Sequence, residues 1–171
     1  MLTVVCDVES ISRRAVFWAV ACALGLLAWA SDDEAMPRFK AKTLDGETFT
    51  NESVKGKVVL LQFWATWCQY CRRDQPAVDT IAKEFADKGL VVLAVNMGEP
   101  KRTVMRYLDD SPRACRIVLM EDTNLAALYA SRSYPLYVLI DRGGNVAGTR
   151  RGAGGEEALR SLLKRAGLSA E

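Results

Sequence analysis

The sequence contains no histidine. Catalysis by a Ser–His or Cys–His pair is therefore excluded, and zinc, copper or haem sites lose their usual imidazole ligands. Proton transfer must run through carboxylates, cysteines, lysines, tyrosines or water. An excess of charge is also missing. Lys and Arg number 23 against 21 Asp and Glu, a net +2 over 171 residues, which gives no basic footprint for nucleic acid. There are no repeats, low-complexity tracts or Pro/Ser-rich linkers. Cysteine is sparse and irregular, at Cys6, Cys22, Cys68, Cys71 and Cys115. An odd number without regular spacing makes no disulfide framework. The length suits one ordinary domain that buries a core without such staples.

What is present divides in two. From Ala15 to Ala30 the chain carries no charge; Arg13-Arg14 precede this run and Ser31-Asp32-Asp33-Glu34 follow it. A basic pair, an apolar stretch and Ala28-Trp29-Ala30 fit a secretory signal with an A-x-A cleavage site. The run exceeds the ~15-residue upper end for a signal's apolar region and falls short of the ~20 residues of a spanning helix. Residues 1–30 are therefore expected to be a signal peptide or an uncleaved N-terminal membrane anchor. In both cases Arg13 and Arg14 are expected to stay inside and residues 31–171 to lie outside the cytoplasm, in the periplasm. Membrane contact is expected only through this segment.

Residues 37–167 read as one domain. Phe39–Leu44 alternates, Asp45-Gly46 turns and Glu47–Thr50 answers, a hairpin signal. Val58–Trp64 (VVLLQFW), Leu90–Val95 and Leu136–Ile140 are nearly continuous apolar runs, as expected of strands covered on both faces. Arg116–Met120 and Asn145–Thr149 complete the strands, the last reached by a turn at Arg142-Gly143-Gly144. Helices are expected at 69–88, kinked at Pro76 and closed by Gly89. Others are expected at Lys101–Asp109, with Val104, Met105 and Leu108 on its buried face, at Thr123–Ala130, capped by Asp122 or Thr123, and at Gly155–Arg165. Strands alternating with helices, then a closing hairpin, predict an α/β fold with a mixed sheet.

The chemistry centres on Trp67-Cys68-Gln69-Tyr70-Cys71, which leaves a buried strand and opens a helix. Unpaired N–H groups and the positive end of the helix dipole favour an anion there, so Cys68 should ionise more readily than a free thiol and act as a nucleophile. Cys71 lies on the same helical face. It is placed to attack a mixed disulfide formed at Cys68, so the pair can cycle between dithiol and disulfide. Half a zinc site is the competing reading, but with no histidine only Cys115 remains as a further thiol ligand, and no metal site is expected. A permanent structural bridge is another, though so small a loop stabilises little. Cys115 reads as a small buried hydrophobe.

With these residues in view, the chain resembles the thioredoxin superfamily, specifically extracytoplasmic thiol–disulfide oxidoreductases of the TlpA/ResA type. The resemblance rests on Gly56–Leu61, Phe63–Cys68, Cys71-Arg72-Arg73-Asp74-Gln75-Pro76, and Tyr134-Pro135 before the strand ending Leu139-Ile140-Asp141. It implies a thioredoxin-like fold, a mixed central sheet flanked by helices with an N-terminal β-hairpin. It also implies that Cys68 attacks and Cys71 resolves. Pro135 matches the family's cis-proline, beside which the backbone of Tyr134 pairs with an extended partner segment. Asp74 stands where the family usually has a glutamate that modulates the thiol pKa values; dipole compensation near the helix start is the alternative. Gln62 replaces a buried aspartate of thioredoxin and cannot ionise. Trp67 is expected either to dock partners or to pack in the core, and Trp64 to be core. The spacer lacks the family's proline, and Leu136-Tyr137 replace frequent threonines.

The function so implied is reduction of disulfides in exported, thiol-bearing proteins, with apocytochrome c as one substrate class. No cofactor is implied, and a membrane electron donor re-reduces the pair. Two alternatives stay open: an oxidase running the reverse flow, and a non-catalytic thiol-holding chaperone or copper carrier. The missing histidine counts against copper.

Overall fold

The computed structural model describes residues 34–129 and 133–169. The segment read above as a signal or anchor lies outside the described residues, as does Ala130. The described residues form one compact unit. Among the described residues no helix is long and apolar enough to cross a membrane.

Seven strands make a single mixed sheet: β1 (Lys40–Thr43), β2 (Thr48–Thr50), β3 (Val58–Trp64), β4 (Leu90–Asn96), β5 (Arg116–Thr123), β6 (Leu136–Ile140) and β7 (Val146–Arg151). Their spatial order is β2-β1-β5-β4-β3-β6-β7. β3, β4 and β5 run parallel, and every other pairing is antiparallel. Every residue of β3, β4 and β6 is buried, because both faces of the sheet are covered. Side chains alternate between faces. Val58, Leu60 and Trp64 meet Val78 and Ile81 of α1 (Gln69–Glu84), Val104 of α2 (Lys101–Asp110) and Leu159 and Leu163 of α4 (Gly155–Lys164). Val59, Leu61 and Phe63 instead meet Met36, Phe39, Phe49 and Leu125, the last from the short α3 (Leu125–Tyr129). Full burial of each large apolar side chain in these two layers stabilises the fold by about 1.5–3 kcal/mol.

Several elements differ from the sequence expectation. α1 ends at Glu84, not Lys88; residues 85–89 close it as turns, with the Leu90 N–H bonded to the Phe85 carbonyl and Gly89 at φ +82°. Pro76 lies inside α1, which continues past it as one element. On α2 the inward residues are Val104, Tyr107 and Leu108, while Met105 is exposed. Tyr107 takes that place because its ring packs against Trp64 and its hydroxyl donates to Gln75 at 2.8 Å. β5 extends to Thr123 because its tail pairs with β1 (Ala41 opposite Thr123). That extension shortens α3, whose Leu125 N–H is capped by the Thr123 hydroxyl. β7 is shifted toward the C-terminus and ends with Arg150 and Arg151 on the sheet edge, where charge discourages further pairing.

Candidate active site

β3 ends at Trp64, and a short loop carries the chain to Cys68, the residue that caps α1. The loop is fastened by Glu99. Its carboxylate accepts from the Thr66 N–H (2.7 Å), from the Thr66 hydroxyl and from the Asn96 amide (2.7 Å). Asn96 ends β4, so the loop before the cysteines is anchored to two strands of the sheet. The sequence reading missed Glu99. Its only signal was an acid in Gly98-Glu99-Pro100 just beyond a buried strand.

Cys68 and Cys71 are joined by a disulfide, with their Cα atoms 5.3 Å apart. Both are nearly buried. Cys68 has extended backbone geometry, and its sulfur accepts the Cys71 N–H at 3.1 Å. This is N-cap geometry, with sulfur in the place of a serine or aspartate oxygen. When the bond is reduced, the same N–H and the helix dipole point at the Cys68 thiolate. The third described cysteine, Cys115, is free and buried. Burial pushes its thiol pKa up, which holds it in the unreactive neutral form.

Around the disulfide the surface is aromatic. Trp67 is 65% exposed and Tyr70 59%, while Trp64 is buried. Trp67 therefore does not pack in the core. Its ring meets the edge of Tyr134 at 6.1 Å. With Cys68, Gln69, Tyr70 and Ser133 they line an open groove of about 410 Å³. The peptide between Tyr134 and Pro135 is cis, as the family resemblance implies. Pro135 is buried, and its carbonyl accepts the Gly152 N–H at 2.8 Å.

Asp74 is 1% exposed. It occupies the inward stripe of α1 with Cys71, Val78 and Ile81, three residues from Cys71 and so on the same face. It does not compensate the dipole of its own helix from a solvated first turn. Its carboxylate is instead seated on the N-terminus of α4: Oδ2 accepts the Gly154 N–H at 3.1 Å and Oδ1 the Gly155 N–H at 3.0 Å. The second position requires glycine, whereas a side chain at the first would only make the flexible Arg150 side chain move. A Cβ on residue 154 would run into the Arg150 guanidinium, and Gly155 sits at φ +67°, where other residues are strained.

A third donor to Asp74 is the Tyr137 hydroxyl, 3.1 Å from Oδ2. Tyr137 also receives the Gln62 amide N–H at 3.2 Å, and the Gln62 oxygen receives the Arg113 guanidinium at 2.8 Å. Arg113 is buried against the Trp64 ring, 5.2 Å from its centroid, and paired with Asp79 at 3.4 Å. Burial, followed by the Asp74 charge, raises the Tyr137 pKa far above its ordinary value, so its hydroxyl keeps its proton. Among the described residues no group of three or more side chains could hold a metal ion.

A cysteine pair bonded across the first turn of a helix, on a thioredoxin-like sheet, defines a thiol–disulfide oxidoreductase. The chain belongs to the AhpC/TSA family, which its residues 33–149 match. It is 38% identical over 115 residues to the thioredoxin-like protein YneN of Bacillus subtilis, covering 66% of this chain and 67% of that one. It is 29% identical over 131 residues to the thiol-disulfide oxidoreductase ResA of Halalkalibacterium halodurans, covering 77% and 74%. Among solved structures it is similar to the exposed lipoprotein thioredoxin of Streptococcus pneumoniae. That match has a TM-score of 0.64 and 28% identity and covers 75% of this chain and 99% of that one.

Proposed function

We propose that this oxidoreductase works outside the cytoplasm as a reductase of protein disulfides. Cys68 is the attacking thiol, Cys71 the resolving thiol and Asp74 the group that handles the resolving proton. Trp67, Tyr134 and Pro135 form the surface on which the partner protein lies. The domain spans residues 37–167, and residues 1–30 carry it across the membrane or tether it there. Support for the location comes from the basic pair and uncharged run of residues 13–30, and from the similarity to an exposed lipoprotein thioredoxin.

In the reducing cycle the Cys68 thiolate attacks one sulfur of the substrate disulfide. A Cys68–substrate disulfide forms, and the other substrate sulfur leaves as a thiolate that takes up a proton. Asp74 then accepts the Cys71 proton, and the Cys71 sulfur attacks Cys68. The second substrate thiol is released and the Cys68–Cys71 bond forms. Two electrons pass from the enzyme to the substrate, and an external dithiol at the membrane must return them. Exported proteins with a disulfide that must be opened, apocytochrome c among them, are the substrate class.

The observation that carries the direction is the buried carboxylate of Asp74 on the face of α1 that also carries Cys71. Strong oxidants of this fold owe their potential to a reduced form stabilised as thiolate. A carboxylate beside the thiols opposes that ionisation, so it favours the disulfide form and makes the dithiol a better reductant. The test is the equilibrium potential of the Cys68–Cys71 couple in a defined thiol–disulfide buffer. A value near −270 mV is expected, and one near −120 mV overturns the reductase assignment in favour of an oxidase.

A further inference from the structure

The hydrogen bonds behind Asp74 have a direction that one residue sets. Arginine only donates. The Gln62 oxygen must therefore face Arg113, so the Gln62 amide nitrogen faces Tyr137. The Tyr137 oxygen then accepts from Gln62, and its single proton is left for Asp74 Oδ2. Gly154 donates to the same oxygen and Gly155 to the other. A carboxylate has about four acceptor sites. Three are filled, two on Oδ2 and one on Oδ1. The site left open is on Oδ1.

We propose that Tyr137 is a positioning residue for Asp74: with its proton directed by Arg113 through Gln62, it keeps Oδ2 an acceptor, so that Oδ1 alone exchanges the proton of Cys71. The proposal rests on Asp74 as the proton acceptor for resolution. Without Gln62 or Arg113 the tyrosine proton could turn away. Without the hydroxyl, Oδ2 would keep only the Gly154 N–H, and the charged carboxylate would be held less firmly.

The ionisable and charged groups around Asp74 come from each packed element. α1 supplies Cys71, with Cys68 beyond it. β6 supplies Tyr137, and β7 supplies Arg150, whose guanidinium lies over Gly154. α4 supplies its N–H groups, with Glu156 and Glu157 exposed in its first turn. The approach to β5 supplies Arg113, which is paired with Asp79 of α1. Of the side chains among these, Tyr137 makes the hydrogen bond to the carboxylate.

The experiment is a single turnover of the reduced full chain, with Cys6 and Cys22 replaced by serine so that they release no thionitrobenzoate, with dithiobis(nitrobenzoate) between pH 5 and 9. The first equivalent of thionitrobenzoate reports attack by Cys68, and the second reports resolution by Cys71. An acid limb on the second release that is absent in Asp74→Asn is the readout. In Tyr137→Phe that acid limb should move up by about one pH unit, a tenfold slowing on the acid side, while the first release is unchanged. A Tyr137→Phe limb superimposed on the parent, with Asp74→Asn lacking the limb, overturns the role of Tyr137 and leaves that of Asp74 standing. A parent-like profile in Asp74→Asn overturns both. If Tyr137→Phe does not fold, Gln62→Met, which frees the tyrosine proton to turn, should move the limb in the same direction by a smaller amount. An unmoved limb in a folded Gln62→Met then overturns the proposal.

Discussion

Replacing Cys68 by serine is expected to bring disulfide reduction down to the uncatalysed rate, while replacing Cys71 by serine is expected to accumulate a covalent complex with the substrate. The asymmetry follows from the site. Cys68 caps α1, receives the Cys71 N–H and opens onto the groove beside Trp67, Tyr70 and Tyr134. Cys71 is buried one turn further in. A thiolate at position 68 meets the partner first, and the sulfur at 71 meets only the mixed disulfide. Among the described residues, serine at 68 leaves only the buried thiols of Cys71 and Cys115, and burial pushes the pKa of Cys115 up. Serine at 71 leaves the attack intact but removes the release. With insulin as the disulfide substrate, non-reducing gels of Cys71→Ser should show a band that disappears on adding dithiothreitol, and Cys68→Ser should show none. Equal trapping by both variants contradicts the assignment of roles.

Asp74→Asn is expected to slow resolution by about a hundredfold, the lower range for loss of a positioned proton acceptor. It should do so without slowing the first attack. Two effects act together. Asparagine cannot accept the Cys71 proton. Its amide nitrogen must also face either the Gly155 N–H or the Gly154 N–H and Tyr137 hydroxyl, donors that now hold the carboxylate. A buried donor set against a donor costs about 1–3 kcal/mol, so a lower melting temperature should accompany the slower second release of thionitrobenzoate. The couple should also become less reducing, since the charge opposing thiolate formation is gone. A variant with unaltered release kinetics and potential removes Asp74 from the mechanism.

The sheet was largely legible in the chain because its central strands are buried on both faces. VVLLQFW, LVVLAV and LYVLI need no partner information to be recognised, and Cys68-Gln69-Tyr70-Cys71 between a strand and a helix carries its own chemistry. Errors fell where two registers satisfy the same helical period. Val104, Met105 and Leu108 make as good a stripe as Val104, Tyr107 and Leu108; the choice was made by the ring of Trp64 and the amide of Gln75, both distant in sequence. The support of Asp74 was illegible for the same reason, because Gln62, Arg113, Tyr137 and Gly154 sit on separate elements. A signal did exist. Gln62 interrupts an otherwise apolar strand, and Asp74 falls in phase with Cys71, Val78 and Ile81. Polar groups at core positions must find partners, and here each of these two has Tyr137 as a partner.

The most direct test of the central claim is to count which sulfurs change state in one turnover. The reduced chain is mixed with a limiting protein disulfide, quenched with acid, alkylated under denaturing conditions and mapped by mass spectrometry. One Cys68–Cys71 disulfide should appear for every substrate disulfide lost, with Cys115 recovered as an alkylated thiol. Product disulfides that include Cys115, or substrate reduction with Cys68 and Cys71 both still alkylated, would contradict the account.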